Sequence, residues 1–177
     1  MTLEYLPAFV HLQYLYFLSY PEVFFWEGNG AIGFGVPLLV SMLILARRRR
    51  PIRINSTLVY MALIEVADIA MGIASSHWSR GSLGMFPAGE VIWPVVILMG
   101  MDIQVTTVYP LTFVGALVPD LYEGGSLEHW EGAWYSGVGG AGFHDGLFII
   151  PLCTLLLSII LKGIGEGLRR RGIFSTI

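Results

Sequence analysis

Apolar residues in this chain come in long runs separated by short polar breaks. The first run, 5–26 (YLPAFVHLQYLYFLSYPEVFFW), is rich in aromatics and carries His11, Gln13 and Glu22. Tyr and Trp favour the membrane–water interface, so this run reads as a first span or as a helix lying in the interface. The polar turn EGNG ends it. Residues 31–46 (AIGFGVPLLVSMLILA) form a clean apolar run, with Gly33, Gly35 and Pro37 placed to kink it. Residues 55–76 (NSTLVYMALIEVADIAMGIASS) follow, with Asn55 or Ser56 available as helix cap. The loop HWSRGSLG then leads to 33 mostly apolar residues, 86–118, interrupted by Pro94, Gly100 and Pro110. A final run covers 143–165, after an acidic, glycine-rich and aromatic stretch at 119–140.

A membrane-spanning helix needs about 20 predominantly apolar residues. These runs therefore predict an all-α, polytopic integral membrane helix bundle of four to six spans, in one domain over 1–177. Composition agrees with that class. Only 13% of the residues are charged and 55% are hydrophobic, against about 25% charged in soluble domains. Nine of the ten basic residues fall in two clusters, Arg47–Arg50 with Arg53, and Lys162 with Arg169–Arg171. Each cluster abuts an apolar run, which is the positive-inside pattern. Both clusters, 47–53 and 169–171, are thus expected in the cytoplasm, of a prokaryote with the protein in its plasma membrane. Nothing else in the chain is basic apart from Arg80, so nucleic acid is not an expected partner. The expected partners are the lipid bilayer and either further copies of the chain or other membrane subunits.

Parity then constrains the 86–118 run. The loop before it is external if the preceding span starts at the first Arg cluster. The last span must begin outside if it ends at the second. Residues 86–118 therefore cross twice, or dip in and return as re-entrant half-helices that turn near GMDIQ. Residues 119–140, with Asp120, Glu123, Glu128 and Glu131 and no basic residue, read as an aromatic cap on the outer surface. Residues 1–10 have no basic stretch of the kind that opens a secretory signal. The one cysteine, Cys153, lies inside the last apolar run and forms no disulfide within the chain.

An ionisable side chain at the centre of a bilayer costs about 2.5–3.5 kcal/mol on insertion scales. It is expected to be paired, neutralised or facing a cavity. Five such residues stand in or beside the apolar runs: Glu65, Asp68, Asp102, His144 and Asp145. Glu65 and Asp68 are three apart and share one helix face. No basic residue lies in their run, so one keeps a proton or the two hold a cation. Asp102 and Gln104 sit at the break in 86–118, where half-helix ends can hold ions or substrates. In GGAGFHDGLFIIP (139–151), Asp145 is placed either to cap the last helix or to react. The glycines before it allow close backbone approach. His144 is placed to carry a proton or ligate a metal with the acids.

No HExxH, P-loop, G-x-S-x-G or CxxC occurs, and the pattern names no cofactor and no metal. The expected function is a transporter or substrate-binding membrane subunit. Its proton- or cation-coupled site would comprise Glu65, Asp68, Asp102, Gln104, His144 and Asp145. The alternatives are an accessory structural subunit of a membrane complex, and an intramembrane enzyme acting on a lipid, quinone or isoprenoid.

Overall fold

A computed structural model of the chain describes residues 30–47, 56–79, 82–86, 88–126 and 138–173. The run 5–26, the arginines 48–50 and 53, and the 127–137 part of the aromatic cap lie outside the described residues. The described chain is helical apart from one small antiparallel hairpin. A π-helical turn, Ala31–Gly35, leads into α1, Val36–Ala46; α2 is Ser56–Ser75; the hairpin pairs β1, His77–Ser79, with β2, Ser82–Gly84; α3 is Gly89–Leu98. A short 3-10 turn, Val105–Thr107, opens α4, Val108–Ser126, and a second one, Gly142–His144, precedes α5, Gly146–Arg170.

Two helices, α2 and α5, are long and apolar enough to cross a membrane. Ala31–Ala46 and α3 are shorter apolar helices. Among the described residues, then, two helices meet the full-length requirement, fewer than the four to six spans expected. Neither is mostly buried. Only 17% and 22% of their most apolar windows are buried inside the protein. Val59, Leu63 and Val66 of α2 and Leu156, Ile160 and Ile164 of α5 face outward. Apolar surface on that scale belongs against lipid or another subunit.

Close contacts fix the helix directions. On α2 and α4, Asp68 lies at Gly115 and Gly72 at Pro119, so the two helices run the same way. On α5, the Arg169 guanidinium donates to the Leu98 carbonyl at 3.0 Å, which puts the end of α5 at the end of α3. Asp145, at the start of α5, interacts with Asp120 near the end of α4, so α4 and α5 are antiparallel. Gly33 packs backbone to backbone on Gly139, and α1 then runs along α4 toward the turn Val105–Thr107. Arg47 and Arg169 therefore occupy one end of the bundle, and the hairpin, Asp120 and Asp145 the other.

The 86–118 run is the least regular part, for readable reasons. Ser75 Oγ accepts from the Phe86 backbone N–H at 2.9 Å, pinning the chain at the hairpin end. It then drops inward, and α3 begins beside Asp68, well below the end of α2. Gly100 closes α3 at a φ of 93°. The Met101 N–H returns to the Val96 carbonyl and the Gly100 N–H to Ile97. That is a Schellman ending, which glycine permits because it has no Cβ. The break at GMDIQ thus sits at the Arg169 end of the bundle, a helix length from the level of Asp68. Asp102 and Gln104, expected at the break in 86–118, lie in this linker and are exposed.

Two boundaries differ from the sequence reading. The cap expected from 119 begins instead inside α4, which continues through Pro119 to Ser126. Pro119 is wholly buried against Gly72, so neighbouring packing holds a proline that would otherwise end the helix. The last helix starts at Gly146 rather than 143 and runs to Arg170, ending in a second Schellman turn at Gly172. Two apolar clusters hold the bundle together. Phe34, Phe113, Ala116, Val138 and Leu147 join the π-helical turn before α1, α4 and the start of α5; Met61, Trp93, Ile97 and Val108 join α2, α3 and α4.

Candidate functional site

Asp68 is the least exposed acidic side chain among the described residues, 0% exposed. It stands where α2, α4 and the start of α3 meet. Two glycines make its space. A Cβ on either Gly89 or Gly115 would collide with Asp68 Oδ2. Asp68 Oδ1 accepts the Gly89 backbone N–H at 2.6 Å. That N–H opens α3, so the carboxylate sits on the positive end of a helix dipole.

Glu65 lies one turn earlier on the same face and turns toward Gly115 as well, close enough for its charge to interact with that of Asp68. Both Glu65 carboxyl oxygens and Asp68 Oδ2 are buried without a hydrogen-bond partner. Trp93, 0% exposed, has its indole Cδ1 against the Gly89 side of the site, and its Nε1 is also without a partner. Glu90, next along α3, is near enough for its charge to feel that of Asp68. Among the described residues no lysine, arginine or histidine neutralises this group, and acids without a base suit a proton or a small cation. The described residues contain no cluster of three His, Cys, Asp or Glu side chains arranged to hold a metal ion.

The other candidate residues are elsewhere. Asp145 caps α5: Oδ1 accepts from the Leu147 N–H at 3.0 Å and Oδ2 from the Ala141 N–H at 3.2 Å. Burial raises its carboxyl above the usual range, and those two N–H bonds work against the rise. Asp120, past the apolar part of α4, is pushed up to about 7 by burial first and by the Asp145 charge second. His144 is exposed at the end of its 3-10 turn. The inward side of that turn is filled by Val138, Gly139, Gly142 and Asp145, so the expected approach of His144 to the acids of α2 does not occur. Asp102 and Gln104 lie at the Arg169 end. The structure therefore brings together Glu65 and Asp68, adds Glu90, and separates them from His144, Asp145, Asp102 and Gln104.

Sequence reasoning missed Gly89, Gly115 and Trp93 as the walls of this site and Asp120 as the neighbour of Asp145. Glycines and a tryptophan in apolar runs carry no signal of their own. Only the register between helices selects them. Compared with known proteins, the chain matches no family model, no curated protein and no solved structure.

Proposed function

We propose that this chain is a small polytopic integral membrane protein that transports a substrate, or binds one for a larger complex, by loading a proton or small cation at Glu65 and Asp68. In this reading the outward apolar faces of α1, α2 and α5 meet lipid. The two Arg-bearing ends are cytoplasmic, and residues 86–118 cross twice, down α3 and back up the apolar part of α4. The observation that carries the reading is the buried acid pair with three oxygens lacking any donor. A carboxylate without a partner in an apolar interior is costly. Such a pair is tolerated in an apolar helix only with a compensating charge or proton, and exchange of that charge is the useful property.

The test is a flux measurement on purified protein in sealed liposomes with a pH-sensitive dye inside and imposed proton or sodium gradients. Wild type is expected to dissipate one of the gradients, and Glu65→Gln, still folded, is expected to lose that flux. Equal flux in both proteins overturns the proposal. A second reading, an accessory subunit with no transport of its own, is favoured by the separation of His144 and Asp102 from the acid pair. It predicts no flux in either protein and a stable complex with other membrane subunits.

A further inference from the structure

The geometry points to a division of labour within the acid pair: Asp68 is a fixed anion, and Glu65 is the residue that takes up and releases the exchangeable proton. This rests on the proposed function, and it narrows the loaded species to a proton and its carrier to one side chain.

The two carboxyls are not equivalent. Asp68 is confined between the Cα atoms of Gly89 and Gly115, where a Cβ on either would strike its Oδ2. Its Oδ1 takes a short bond from the first N–H of α3. A backbone donor at a helix N-terminus favours the ionised form of an acid. The side chain has one free torsion fewer than Glu and no room to turn. Glu65 has neither constraint. Neither of its oxygens accepts a bond, both are buried, and it stands beside the fixed charge of Asp68. Two carboxylates this close do not both ionise readily, and the one with no donor is the one that keeps the proton. The partnerless indole N–H of the wholly buried Trp93, beside the same glycine, is a donor with no acceptor yet. It is suited to a carboxylate left behind when the proton departs. An alkali cation needs several oxygen ligands at once. Of the pair's carboxyl oxygens only Asp68 Oδ1 is held in place by a donor, which favours the proton.

A hydrophobic carbodiimide tests this independently of transport. The reagent adds only to a protonated carboxyl: the acid proton passes to a carbodiimide nitrogen and the carboxyl oxygen bonds its central carbon. The adduct rearranges to a stable acylurea that retains every atom of the reagent. The full chain in detergent or liposomes is treated with dicyclohexylcarbodiimide across a pH series and mapped by peptide mass spectrometry. The expected result is adduct on Glu65 and none on Asp68, falling as pH rises. The adduct is absent in Glu65→Gln and retained on Glu65 in Asp68→Asn. Thermal unfolding of each variant verifies that the comparison is between folded proteins. Adduct on Asp68, no adduct on either acid, or suppression of the adduct by sodium at fixed pH each overturns the inference. Glu65 adduct without proton flux would leave this assignment standing and sink only the transport reading. Flux with the adduct on Asp68 would do the reverse.

Discussion

Asp145 and Asp120 show how much a single side chain decides at the hairpin end of the bundle. Asp145 fills the role its place before an apolar run suggests, with both oxygens on backbone N–H groups. Asp145→Ala is expected to cost about 1 kcal/mol through loss of the cap, and Asp145→Asn less; the shift in thermal unfolding midpoint in detergent measures both. Asp120 has the opposite character. Its folded carboxyl is pushed up to about 7, from an ordinary 3.8. The folded state therefore binds a proton that the unfolded state has already released between these values. Stability is expected to fall as pH rises from about 4 to about 7 and to level off above. Asp120→Asn is expected to flatten that slope and to be more stable than wild type at pH 8. An unchanged slope in the variant would show that Asp120 is not the group. The shared face of Glu65 and Asp68, and the capping position of Asp145, could be read from spacing alone. The pairing of Asp120 with Asp145 could not, because it depends on how far α4 slides along α5. His144 misled for a related reason. Nearness in sequence to an apolar run says nothing about which side of a turn is already occupied.

Helices meet in this molecule through glycines, and those contacts differ in how much they can yield. A Cβ at Gly33 would strike the Gly139 backbone, whereas one at Gly163 on α5 would meet nothing within 4 Å. Gly33→Ala is expected to cost about 1–3 kcal/mol as overpacking against an unyielding neighbour, and Gly163→Ala to be neutral. Matched unfolding curves decide it, and equal costs would mean the π-helical turn does not dock on Gly139. At this scale the apolar runs foretold where helices lie, and Gly100 announced the break within 86–118. The starting depth of α3 was hidden. It depends on the Ser75–Phe86 bond and on the space left by Gly89, neither of which has a periodic signature. Pro119 was equally opaque, since a proline after an apolar run signals an end unless a partner such as Gly72 makes room for it.

The whole molecule is an inside-out object by soluble standards. Among the described residues the interior holds an acid pair with three oxygens lacking a donor, while leucines, isoleucines and valines of α1, α2 and α5 face outward. The composition and the long apolar runs made the helical class legible. The directions of α3 and α4 came only from contacts such as Arg169 with Leu98. All that is argued for Glu65 and Asp68 depends on the outward faces lying in lipid, for only then is the pair cut off from water on every side. Cys153 is the chain's one cysteine and is exposed on α5 beside the outward-facing Leu152 and Leu156. It reports on this directly without any substitution. In native membranes made leaky to small solutes, a water-soluble maleimide is expected to leave Cys153 unmodified until the protein is denatured. Rapid modification of the folded protein would contradict the account, because it would put water where the account puts hydrocarbon.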